Sequence, residues 1–365
     1  MKFRNIYLAV ALLASSLAFI ACDNDDEQWN PTGSGKVTMA TSARAFILNE
    51  GTMNRGNSNL IYFDWATGVV NGSDLFLAQN DTTLGDTGND IITTSDNRLV
   101  VAVNVSNYVA LLDGYGVEKS RISFGQYKNL GQVRCVDEAN GIVYATSYGG
   151  YVSRLRVSGD RLVYVDSLRV GDRPEDVAEV GGRLYVTLQG QNYDDNRLAI
   201  VGSDFKTISY ATIMQDPVKA YAKDGKVYLT GYGAMWDNPW GVYDPAKGTY
   251  TELGHASAIG VGDSLVYTAY TVTDWSTYAT TTTLGTYNLK TGTVSTNFFK
   301  NEPAALVTAN VYSISVNRFN GKIYVATSAA DYVSNGTVYV FDAKGNYETT
   351  FSSYGANPNK IVFLQ

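Results

Sequence analysis

Histidine and cysteine are nearly missing from this chain of 365 residues, which holds one of the first and two of the second. A serine-histidine-aspartate mechanism could use only His255, and no Gly-x-Ser-x-Gly motif accompanies it. Charge is also scarce: 17% of residues are charged, the formal net charge is −7 and no basic run occurs, which argues against a polyanionic nucleic-acid partner. Past residue 25 there is no long apolar stripe at helical spacing. Cys135 lies in Gln132-Val133-Arg134-Cys135-Val136, a run that reads as a strand, so a buried free thiol is expected there.

What the chain does have is glycine (35), tyrosine (27) and a phrase that returns. It reads Gly-Ile-Val-Tyr-Ala-Thr-Ser-Tyr-Gly from Gly141, Gly-Arg-Leu-Tyr-Val-Thr-Leu-Gln-Gly from Gly182 and Gly-Lys-Val-Tyr-Leu-Thr-Gly-Tyr-Gly from Gly225. Looser copies surround Tyr267, Tyr324, Val100 and Phe46. Each is a turn signal followed by a β-branched and aromatic run, the pattern of a mostly buried strand. From Phe46 through Val100, Tyr144, Tyr185, Tyr228, Tyr267 and Tyr324 the steps are 54, 44, 41, 43, 39 and 57 residues. A four-stranded propeller blade needs roughly 40 to 45 residues. Seven copies therefore predict an all-β, seven-bladed β-propeller of four-stranded antiparallel blades, the two long steps being blades with insertions.

The recurring phrase is read as the second strand of each blade. Third strands follow, such as Asn59-Leu60-Ile61-Tyr62-Phe63-Asp64 and Val338-Tyr339-Val340-Phe341-Asp342, with hairpin signals such as Thr67-Gly68 and Lys344-Gly345 after them. The first blade lacks an inner strand ahead of Phe46, while Ala356 to Leu364 reads as an inner strand with no blade after it. The C-terminal strand is thus expected to complete the first blade and close the ring, removing an exposed sheet edge.

Alternate turns of a propeller lie on opposite faces. The turns from first to second and from third to fourth strands are short and generic, for example Asp224-Gly225 and Lys247-Gly248, and look like scaffolding. The other set is long and aromatic, which suggests a ligand-binding surface, although the rings could equally pack to fix their own loops. Candidate ligand contacts on that face are Trp236, Trp275, Tyr193, Tyr151, Tyr278, Tyr332, Tyr127, Asn49, Asp86 and Asp237. Asn89, Asp90 and Asp176 point toward the axis, as contacts or as strand caps. No catalytic residue, metal or cofactor is assigned: Glu50, Asp86, Asp90 and Asp176 are acidic, but no ligand spacing stands out, and the chain is expected not to be an enzyme.

Residues 1–21 start with Lys2 and Arg4 and continue into an apolar stretch too short for a stable membrane span. Phe19-Ile20-Ala21-Cys22 resembles a bacterial lipobox, with Phe19 in place of the usual aliphatic residue, so Cys22 is the expected lipidation site; an ordinary secretory signal is the alternative. A lipidated Cys22 leaves no disulfide. Residues 22–40, opening Asp23-Asn24-Asp25-Asp26-Glu27 after the cysteine, read as an acidic flexible tether, either a solvated spacer or a signal for export to the outer surface. Residues 41–365 form the propeller.

Phe46-Ile47-Leu48-Asn49-Glu50-Gly51, the strand Asn59 to Asp64 and Leu84-Gly85-Asp86-Thr87 together resemble the YncE-like propeller lipoproteins of gut diderm bacteria, among them the BtuG-type surface lipoproteins. The resemblance spans nearly the whole chain. It implies an outer-membrane lipoprotein facing the exterior that captures cobalamin or a related corrinoid for a TonB-dependent transporter. It implies a binding role for the aromatic face but no individual contact, and a glycan, a protein partner or a metal-dependent lactonase-like activity are the alternatives.

Overall fold

The computed structural model describes residues 36–274, 276–277 and 279–365. The proposed signal segment, Cys22, most of the tether, Trp275 and Tyr278 lie outside the described residues.

Seven four-stranded antiparallel sheets stand in a ring, each running in chain order from the axis outward. The one exception to simple order is blade 1, where Pro358–Leu364 is the inner strand beside Arg44–Asn49, Asn59–Asp64 and Val70–Asn71. Inner strands of blades 2 to 7 are Gly88–Thr93, Val133–Ala139, Pro174–Val180, Pro217–Lys223, Ala258–Val261 and Asn310–Val316. Every copy of the recurring phrase is a second strand, and closure by the C-terminal strand is as expected.

The second strands are apolar on both faces because blades cover both. In Leu99–Val103 all five residues are buried, and Phe46, Leu48, Leu99, Val101 and Val103 share one cluster between blades 1 and 2. Burying each such side chain is worth about 1.5–3 kcal/mol. Neighbouring inner strands are joined by side chains where no ladder connects them. Asp90 accepts from the Val136 amide at 3.0 Å, Asp137 from Glu179 at 2.7 Å and Asp176 from Ala220 at 3.0 Å. Between blades 7 and 1, Ser315 Oγ accepts from the Ile361 amide at 3.0 Å.

Two features were not anticipated. A short helix, Leu75–Asn80, capped by the Asp74 side chain, buries Leu75 and Phe76 between blades 1 and 2. Residues 36–40, read as tether, pack on the ring: Met39 is in the same cluster, and the Lys36 amide donates to Gln79 Oε1 at 2.8 Å. Gln79 in turn donates to the Tyr115 carbonyl in a short turn of blade 2, so the chain joins the ring on the short-turn face. Among the described residues no helix is long and apolar enough to cross a membrane.

Candidate functional site

On the long-loop face the axis widens into a cavity of about 570 Å3, the mouth. Six inner strands reach it through a break in register against their second strands. The pairing skips Asn89 in blade 2, Arg134 and Cys135 in blade 3, Glu175 and Asp176 in blade 4, Val218 in blade 5, Tyr312 in blade 7 and Asn359 in blade 1. A bulged residue is released from the ladder and re-aimed. Asn89, Arg134, Glu175, Val218, Tyr312 and Asn359 all line the mouth.

Their chemistry is charged and paired. Arg134 Nε donates to Glu175 Oε2 at 2.9 Å and Nη2 to Oε1 at 2.5 Å, and Tyr148 Oη donates to Oε2 at 3.0 Å. Burial works against the Arg134 charge, but Glu175 more than offsets it and holds the guanidinium above its ordinary pKa. Arg173 stacks between Tyr148 and Tyr193, 4.2 and 4.4 Å from the ring centroids, and donates to Tyr193 Oη at 2.7 Å. Across the floor Tyr312 Oη donates to Glu50, whose carboxyl is pushed up by burial although that bond and Arg134 oppose the shift.

Beneath the mouth lies a buried polar plug. Lys360 Nζ reaches Asp90 at 2.8 Å, Lys219 Nζ lies 3.3 Å from Cys135 Sγ, and Asn359 Nδ2 donates to the Asn89 carbonyl at 2.6 Å. Cys135 is a buried free thiol, as expected, and burial pushes its pKa well up. Asp90, Cys135 and Asp176 bring ligand-type atoms within 4.8 Å of one another, the one metal-capable group among the described residues. Two ammonium groups already answer this cluster, so its donor set does not call for a cation. Below the plug a second axial cavity of about 470 Å3 is lined by Asp137, Tyr221 and Lys223 among others.

Walls of the mouth come from the long loops. Trp236 and Tyr332, two of the candidate contacts, line it, 71% and 50% exposed and both at positive φ. Tyr232 and Tyr270 join them, with the Tyr232 and Trp236 rings 5.3 Å apart. The Trp236 loop turns at Gly233, where a Cβ would stand 2.4 Å from Asp237 Oδ1. Tyr193 reaches the floor through Arg173, which lies over both its ring and that of Tyr148.

Other expected contacts are not brought to the cavity. Tyr127 and Tyr151 pack into the cluster between blades 2 and 3, Tyr127 stacking on Tyr164 at 4.0 Å. Asn49 is fully buried and ties Asn59 to the Ser353 carbonyl. Asp86 closes the loop of residues 50–58 by accepting from the Asn54 and Gly56 amides. Asp237 offers its carbonyl to the His255 ring at 2.8 Å. Arg134, Glu175, Lys219 and Tyr312 were not singled out from the sequence; their signal is position, one or two residues into an inner strand, in two cases just after proline (Pro174, Pro217).

No family profile and no curated protein matches the chain. Among solved structures it is similar to a candidate 6-phosphogluconolactonase from Bacteroides fragilis, with a TM-score of 0.62 and 14% identity over 90% of this chain and 99% of that one. A candidate 6-phosphogluconolactonase from Bacteroides uniformis gives 0.60 and 12% over 88% and 99%. Hydrazine synthase from Kuenenia stuttgartiensis gives 0.56 and 12% over 69% and 76%. The expectation that the chain is not an enzyme is corrected here, because two of the structures it is similar to, matched over 90% and 88% of this chain, are named for a lactonase. At these identities the likeness shows the fold: the chain is a seven-bladed β-propeller.

Proposed function

We propose that this propeller captures a compact, hydroxyl-rich nutrient in the mouth. The observation that supports this is the convergence of six released inner-strand positions onto one cavity with aromatic walls and a paired, polar floor. Aromatic plates such as Trp236 and Tyr332 take the apolar face of a sugar-like ring, while Asn89, Asn238, Asn310, Asn359 and Thr273 offer hydrogen bonds to its edge. Cobalamin or a related corrinoid, the ligand implied by the likeness to YncE-like and BtuG-type lipoproteins, is the broad version of this reading: its plate would lie across the rim. In that version Cys22 is lipidated, the protein sits on the outer face of an outer membrane and it passes its cargo to a TonB-dependent transporter. The position of Lys36 supports that orientation, because a tether joining the short-turn face leaves the mouth turned away from the anchor.

A second reading is hydrolysis of a sugar lactone in the same cavity. It is supported by the Glu50 carboxyl, whose pKa burial raises and which accepts from Tyr312 at the floor, and by the names of the two Bacteroides structures. Calorimetric titration of the full chain with cyanocobalamin and with gluconate, together with acid release from 6-phosphogluconolactone, separates the readings. Saturable binding weakened about tenfold by Trp236→Ala, without turnover, supports capture. Acid release lost in Glu50→Gln supports hydrolysis. Neither binding nor turnover sinks both.

A further inference from the structure

The short-turn face, which the sequence presents as scaffolding, holds a cavity of its own. It measures about 490 Å3 and lies where blades 1, 2 and 3 meet. Arg44 comes from the start of a second strand, Arg98 and Lys119 flank the turns of blade 2, Asp113 and Tyr115 sit in one of those turns, and Asp160 comes from a turn of blade 3.

Arg44 is only 6% exposed. Its guanidinium lies 4.3 Å over the Tyr115 ring and Nη1 donates to the Gly114 carbonyl at 2.6 Å, but Nε has no acceptor. It takes part in none of the ion pairs among the described residues. Desolvation accordingly pushes its pKa down, against attraction from the two nearby tyrosines and Asp113. Asp113, 4% exposed, accepts from the Tyr115 and Val117 amides with Oδ1, while Oδ2 makes no hydrogen bond. Lys119 Nζ stays 3.9 Å from Asp113 and 3.9 Å from Asp160, and Arg98 Nη1 is 3.9 Å from Asp160. Three cations thus border one cavity: Lys119 lies within ion-pair range of Asp113 and Asp160, Arg98 pairs with Asp96, and Arg44 has no carboxylate in ion-pair range among the described residues. Arg98 is the best provided, through Asp96 and the Gly159 carbonyl. A buried guanidinium is costly unless an anion meets it, and an arginine fork matches the oxygen pair of a carboxylate or phosphate.

We propose that this cavity binds a small oxyanion, a carboxylate or phosphate group, held by Arg44 with Lys119 and Arg98 beside it and Tyr115 against the rest of the ligand. The site is independent of the mouth, being on the other face of the ring.

Isothermal titration of the full chain with inorganic phosphate and, separately, with acetate, both at constant ionic strength, tests the site. Saturable one-to-one binding of phosphate alone assigns a phosphate-bearing ligand, and of acetate alone a carboxylate. Lys119→Gln and Arg98→Gln should each weaken that binding by about tenfold. Both are less buried than Arg44, and an unchanged thermal midpoint confirms that they fold. Trp236→Ala, at the mouth, should leave it intact. The site is overturned if neither anion saturates by about 50 mM, or if the two variants bind like the parent.

Discussion

Arg134 and Glu175 face each other across neighbouring blades, each from a residue that its own sheet has let go, and meet in a fork whose Nε to Oε2 distance is 2.9 Å. With its side chain 3% exposed, Glu175 cannot turn to water if the arginine leaves. Arg134→Ala should therefore cost about 3–5 kcal/mol, the penalty for an uncompensated buried charge, whereas Arg134→Leu combined with Glu175→Leu should recover most of it. Urea denaturation of the parent, the single and the double variant measures both; an additive double variant would show that the two residues do not act as a pair.

Truncation at the far end tests closure. Removing residues 356–365 strips the inner strand from blade 1, including Ile361, Phe363 and Leu364, all less than 9% exposed. The bared edge of Arg44–Asn49 should then drive aggregation rather than local fraying. Size-exclusion chromatography should show loss of the monomer peak, and a soluble, cooperatively melting product would contradict a closed ring.

Stability should fall as pH rises across the weakly acidic range. Burial raises the Asp137 carboxyl to about 7 and that of Asp176 to about 6. Because the folded pKa lies above the unfolded one near 4, the native state binds the extra proton, and this stabilisation is full below about pH 4 and lost as pH climbs through 6 to 7. Asp137 borders the lower cavity and is only half-buried, so its shift converts to less than its full stability and the slope should be shallow. Denaturant midpoints between about pH 4 and 8 give it; a midpoint that rises over that range would reverse the sign.

The Cys135 thiol should resist a thiol-specific reagent in the folded protein and react at once in denaturant. It is fully buried and its pKa is pushed well up, so little thiolate is exposed to attack. Labelling that matches the denatured rate under native conditions would mean that the plug around Lys219 opens readily.

The ring was legible in the sequence because propeller strands repeat their chemistry: the phrase around Tyr144, Tyr185 and Tyr228 marks a strand buried on both sides wherever it occurs. The orphan strand at Ile361 gave the closure for the same reason. Trp236 and Tyr332 were legible as large rings in loops too long to be mere turns. Tyr127 and Tyr151 have the same composition but a different fate, since whether a ring faces a cavity or a neighbouring blade depends on packing partners, here Tyr164 and Leu130. Arg134, Glu175 and Tyr312 were hidden because a register break leaves no mark in residue type. Asp86 and Asn49 look like ligand contacts in sequence because the polar groups that satisfy a loop backbone are the ones that bind solutes.

Placing the mouth on released inner-strand positions has an evolutionary consequence. Asn89, Arg134, Glu175, Val218, Tyr312 and Asn359 have no partner in the pairing of their own sheets, so Asn89, Val218, Tyr312 and Asn359 can be exchanged singly, and Arg134 with Glu175 as a pair, without unpicking a sheet. Descendants of such a ring can drift from one cargo to another by swapping a half-dozen sockets, while the barrel of blades around them is inherited unchanged.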